Sequence, residues 1–78
     1  MLERGTVVYS AAGRDKGRLL AVVGTDNGWV FVCDGKERPL HRAKRKNPRH
    51  LIETGYRLDE ESLATDLKLR RALRQFTI

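Results

Sequence analysis

The chain has 78 residues, 40% apolar and 33% charged, enough for one small domain and too few for a second, because cores divide only well above roughly 150 residues. No apolar run approaches the ~18 residues of a membrane helix, and Met1-Leu2-Glu3-Arg4 lacks the charged-then-apolar layout of a signal peptide; a soluble, cytoplasmic chain with no membrane partner is expected. The net charge of +6 is concentrated: residues 36–50 hold seven basic groups and one acidic group, while the other 63 residues carry nine of each sign.

Along the chain, Thr6-Val7-Val8-Tyr9 and Leu19-Leu20-Ala21-Val22-Val23 are short β-branched apolar runs that predict two strands joined by a glycine-containing loop. Asp26-Asn27-Gly28 is a tight-hairpin signal, since both central residues must take positive φ; Trp29–Cys33 then forms the third strand. Asp34-Gly35 suggests another turn and a fourth strand around Glu37–His41, placed at an edge by Pro39. His50-Leu51-Ile52-Glu53-Thr54 predicts a fifth strand closed by Gly55. Five short strands at spacings near ten residues imply a mainly β, closed or nearly closed barrel over residues 1–57. Residues 58–78 carry a helix from about 60 to 75, with Asp59 as cap, Glu60 and Glu61 in its first turn, and Lys68, Arg70, Arg71 and Arg74 toward its negative end. Its apolar residues split between one face with Leu69, Ala72, Leu73 and Phe76 and another with Leu63 and Leu67, which implies a bend near Asp66 or packing on two surfaces.

Catalysis finds little support. No nucleophile elbow, phosphate loop of the nucleotide-hydrolase kind or zinc-protease helix motif is present. A lone Cys33 with His41 and His50 is too small a set for a Cys-rich zinc site, and Cys33 in an apolar strand reads as a small buried hydrophobe. Asp26 and Asp34 suit turns and Asp59 suits a cap. No catalytic residue, metal, cofactor or small-molecule substrate is expected.

Charge is the stronger signal, because a concentrated positive stripe attracts a polyanion. In Ala12-Gly13-Arg14-Asp15-Lys16-Gly17-Arg18, two glycines four apart permit close backbone approach while Arg14, Lys16 and Arg18 offer charge to a phosphate chain; a solvated hairpin loop is the competing explanation. Within the basic run, Arg42, Lys44, Arg45, Lys46 and Arg49 are anchored by Leu40, Leu51 and Ile52 at its two ends, against the alternative of a disordered solubilising arm. Trp29, Phe31 and Tyr9 are candidate stacking platforms, although core packing suits Phe31 better. Arg70, Arg71 and Arg74 are candidates to extend this surface, although helix-dipole compensation alone accounts for them.

Residues 5–24, Gly5-Thr-Val-Val-Tyr-Ser-Ala-Ala-Gly-Arg-Asp-Lys-Gly-Arg-Leu-Leu-Ala-Val-Val-Gly24, resemble a KOW motif, the strand–loop–strand unit of several ribosomal proteins and transcription elongation factors. With Asp34-Gly35-Lys36, Arg38-Pro-Leu and Lys44-Arg-Lys-Asn-Pro-Arg-His-Leu51, residues 5–55 are similar to small bacterial KOW-domain RNA-binding proteins related to large-subunit ribosomal proteins of the L14e/L6e/L27e type. The resemblance implies a five-stranded SH3-like barrel that binds RNA, usually ribosomal RNA, with the first loop as a contacting element at Gly13, Arg14, Lys16 and Gly17. Together with the charged positions, the expected RNA-binding set is Gly13, Arg14, Lys16, Gly17, Arg18, Lys36, Arg38, Arg42, Lys44, Arg45, Lys46 and Arg49. A protein-interaction module docking on ribosomal or transcription-machinery proteins is the alternative, since fold alone does not assign function.

Overall fold

A computed structural model describes residues 2–76. Met1, Thr77 and Ile78, which the expected 1–57 and 58–78 divisions include, lie outside the described residues. Five strands, β1 (Thr6–Ser10), β2 (Leu19–Asp26), β3 (Trp29–Cys33), β4 (Lys44–Lys46) and β5 (Leu51–Arg57), are followed by one helix, α1 (Asp66–Arg74). The strands form a single antiparallel sheet in the order β4-β3-β2-β1-β5. The sheet is open, with β4 and β5 at its edges, where the sequence suggests a closed or nearly closed barrel.

The β2–β3 hairpin turns where local chemistry dictates. Asn27 (φ 48°) and Gly28 (φ 82°) both adopt the left-handed conformation, whose twist matches that of the flanking strands. Successive strand residues face opposite sides of a sheet, and here both sides are buried. Val7, Ala21 and Cys33 pack with Leu63, Leu69 and Leu73 on the face that α1 covers. Val8, Leu20, Val22, Val30, Val32 and Leu51 form a second cluster. Register shifts between Val22 and Gly24 and between Thr6 and Val8 bend the sheet, and this second cluster is closed without a second helix. The helical segment therefore packs on its own sheet.

Three elements depart from expectation. No strand forms over Glu37–His41: the Asp34 carboxylate accepts the backbone N–H groups of Lys36 and Arg38, both at 2.8 Å, which winds the chain into a loop. Pro39 and a 3-10 turn, Leu40–Arg42, follow, and the fourth strand is β4, inside the basic run and paired with β3 from Val30↔Lys46 to Val32↔Lys44. The fifth strand runs on through Gly55 to Arg57, accommodating φ 88° at the glycine. The helix starts at Asp66, not 60. Asp59 does cap, accepting the Ser62 N–H at 2.9 Å, but it caps a separate short turn; Thr65 then caps α1 by accepting the Lys68 N–H at 3.1 Å. The break explains why Leu63 falls off the helix's apolar face, while Leu67, inside α1, simply points to solvent. Leu63 is buried from the preceding turn, whereas Leu67 is exposed.

Candidate nucleic-acid interface

The loop between β1 and β2 is built from its own polar groups. Gly17 N–H donates to the Ser10 carbonyl at 2.8 Å, Arg18 N–H to Asp15 at 2.8 Å and Lys16 N–H to Gly13 at 3.2 Å; Gly13 and Gly17 take φ of 77° and 85°. The loop is then fixed to β4 by a buried cluster. Asp15, 4% exposed, lies 3.6 Å from the Lys46 ammonium and 3.5 Å from the Arg38 guanidinium. The Lys46 Nζ also donates to Ser10 Oγ at 2.8 Å and to the Ala12 carbonyl at 3.0 Å. Lys46, expected among the RNA-contacting cations, is thus buried and fully engaged inside the fold. Alternation along β4 is the cause: Lys46 faces inward and Arg45 outward.

With Asp15 drawn inward, Arg14 and Lys16 on either side of it are exposed. Arg14 lines a groove of about 380 Å³ with Lys44, Arg45 and His50, and Gly13, Asp15, Trp29, Lys46 and Asn47 also border it. The loop start is tied to His50 by the Ala11 N–H, which donates to the His50 carbonyl at 2.7 Å. The Asn47 side chain accepts the Arg49 N–H at 3.0 Å and orders the 3-10 turn Pro48–His50. Trp29 is 39% exposed, and the Arg45 guanidinium lies 4.5 Å from its ring centroid, a cation–π contact that orients both groups.

A second, mainly basic hollow, about 520 Å³, adjoins this groove through the shared Lys44 and Arg45 and is lined also by Arg38, Pro39, Arg42 and one carboxylate, Glu37. A cationic band therefore runs from Arg42 past Lys44 and Arg45 to Arg14. Arg49 is exposed on the 3-10 turn beside the band and lines neither hollow. Gly17, Arg18 and Lys36 are not part of it; they line a different hollow. Tyr9 is 38% exposed and lines neither hollow, and Phe31 is half-buried opposite Arg45. Asp15 was not among the expected site residues, its only sequence signal being its position between two cations.

Cys33 is fully buried, and its Sγ lies 3.4 Å from the Pro39 carbonyl as a donor. Burial, aided by the charges of Asp66 and Asp34, pushes the thiol up to about 11, so it stays protonated at neutral pH and is a poor nucleophile. Among the described residues no three His, Cys, Asp or Glu side chains group as a metal site requires, and no helix is long and apolar enough to cross a membrane. Comparison with protein-family models and with curated proteins gave no match.

Proposed function

We propose that this chain is a non-enzymatic, cytoplasmic RNA-binding protein that grips the phosphate backbone of structured RNA, ribosomal RNA first among candidates. The observation that carries this is the groove that the glycine-hinged loop, through Gly13 and Arg14, lines together with Trp29, Lys44, Arg45 and His50. Separate stretches of sequence converge there, and cations lining one groove can follow a phosphate chain. Few aromatics and many arginines favour backbone and shape recognition over reading of a single strand. The choice of ribosomal RNA rests on the KOW resemblance. An SH3-like barrel of the KOW type is our finer description of the fold, supported by the pairing of first and last strands, the register shifts in the β2–β3 and β1–β5 pairs, and the 3-10 turn that links edge strands β4 and β5.

Binding of the purified chain to ribosomal RNA fragments, a generic RNA duplex, single-stranded RNA and DNA across a salt series tests the proposal. Preference for ribosomal fragments is expected, with Arg14→Ala/Lys16→Ala weakening binding at unchanged melting temperature. No RNA binding at ~50 mM salt, where phosphate contacts are strongest, would overturn it. Docking on a protein is the second possibility, favoured by an apolar hollow among Tyr9, Ile52, Tyr56 and Phe76, where the Tyr56 and Phe76 rings lie 4.7 Å apart; co-purification with ribosomal particles that survives RNase would select it.

A further inference from the structure

The loop that borders the phosphate groove through Gly13 borders a second cationic hollow through Gly17. Arg18 and Lys36, from two loops, and Arg70 and Arg74, from successive turns of α1, surround a space of about 450 Å³ that Gly17 also lines. Dipole compensation accounts for cations in the last turn of a helix, but Arg70 is the fifth of nine residues. Its pairing with Arg74 at i, i+4 sets like charges side by side, an arrangement that disfavours the helix. The Arg70 Nε is, moreover, buried without a hydrogen-bond partner, unusual for a polar atom in a folded protein.

Asp34 is the carboxylate in this hollow, and it is already occupied: Oδ1 accepts the Lys36 and Arg38 N–H groups and Oδ2 lies 3.7 Å from Arg18. Arg18 is compensated by that carboxylate, whereas Lys36 and Arg70 line the hollow with no carboxylate among the described residues bonded to either. The hollow is also held in shape, because Gly35 abuts the α1 backbone so closely that a Cβ there would lie 2.3 Å from the Asp66 carbonyl oxygen. Lys36 is thereby seated beside Arg70.

Gly13 lines the first groove and Gly17 the second, so the loop is a ridge between two cationic channels, with Arg14 and Lys16 exposed on it. We infer that this ridge enters the groove of an RNA duplex and that each channel takes one of the two phosphate backbones. The ligand is then double-stranded RNA in preference to a single strand. An A-form duplex suits the shape, since its wide, shallow minor groove is bordered by two backbones and displays 2′-hydroxyls to a short polar ridge. The inference rests on the proposed RNA binding and adds to it the two-backbone ligand.

Fluorescence anisotropy on an RNA duplex of about 16 base pairs, the span of a double-stranded-RNA module, and on each separate strand tests it. The native chain binds the duplex more tightly than either strand. Arg70→Gln/Arg74→Gln, which keeps good helix formers, weakens duplex binding on the order of tenfold at ~0.15 M salt and makes the log–log salt slope shallower by about 1.5 to 2, with single-strand affinity unchanged. Lys36→Gln, outside the helix, shifts the duplex slope by about 0.9 in the same direction and decides the matter if the helix variant melts early. Equal losses on duplex and single strand, no loss on either, or native preference for a single strand would overturn the two-channel arrangement while RNA binding stood. A native chain that binds neither RNA overturns the parent proposal instead.

Discussion

Of the cations that β4 carries, Lys46 points inward because alternate residues of a strand face opposite sides, and its burial is sustained by Asp15, Ser10 and the Ala12 carbonyl. Removing one partner of a buried ion pair strands the other, whereas replacing both by apolar groups is far better tolerated. Asp15→Ala should therefore cost about 3 kcal/mol, and Asp15→Ala/Lys46→Met should recover part of that loss, the remainder being due to Arg38, whose Nε is buried and which still lacks its carboxylate. A urea double-mutant cycle reads the coupling, and simply additive losses would show that the two charges do not depend on each other. Cys33 gives a second residue-level prediction, set by pH. Its folded thiol is raised from 9.0 to about 11, so the folded state holds the proton where the unfolded chain releases it. Stability from this source is intact below pH 9 and declines through about pH 11, by roughly 2 to 3 kcal/mol at 1.36 kcal/mol per pH unit. Native protein should lose stability relative to Cys33→Ala across that window, and parallel curves would contradict the burial of the thiol.

At the scale of elements, the docking of α1 depends on how closely the 34–38 loop approaches it. An alanine Cβ at Gly35 would collide with the Asp66 carbonyl oxygen at 2.3 Å, and the residue's φ of 80° is itself strained for any side chain. Gly35→Ala should cost about 2 kcal/mol or more, against about 1 kcal/mol for Thr65→Ala, which removes only the α1 cap. Denaturant melts of both variants check this, and a Gly35→Ala loss no larger than that of the cap would mean the helix is not seated there. The same elements show what was legible in advance. The Asn27-Gly28 turn and its flanking strands were, because their cause is local and lies in the dihedral angles of two residues. The displaced fourth strand was not: Asp34 acts as a backbone acceptor, with Leu40 N–H held in turn by the Asp66 carboxylate at 2.7 Å from 26 residues away, and periodicity does not register such long-range bonds. The helix start was misplaced for a related reason, since Asp59 and Thr65 are both good caps in sequence and only the fold assigns them to different turns. The candidate site was half legible. Charge density marked Arg14 and residues 42–49, but the inward turn of Lys46 and the separation of Arg18 and Lys36 from the band follow from strand pairing.

Over the whole molecule, the +6 excess is partitioned by the fold. Lys46 and Arg38 are held against Asp15, and Arg18 against Asp34, while Arg4, Arg57 and Lys68 pair with Glu60, Glu3 and Glu61. Arg14, Lys16, Arg42, Lys44, Arg45 and Arg49 are left as a set of six along the band and its ridge. If these six meet the phosphates of a single strand, log affinity falls with log salt at a slope of roughly −4, at about 0.7 per contact, and more steeply on a duplex, where the second hollow adds its contacts. Arg42→Gln/Lys44→Gln/Arg45→Gln should then bring the slope to about −2 while leaving the melt nearly unchanged, because none of the three belongs to a core cluster. Exchanging Arg4 and Lys68 for glutamine instead, at ion pairs outside the band, should leave the slope as it was. A slope near −1 in the native chain, one that the triple substitution does not alter, or one that the Arg4/Lys68 exchange flattens by as much per cation would remove the band as the binding surface, the last because diffuse positive charge responds to the number of cations lost and not to where they stood.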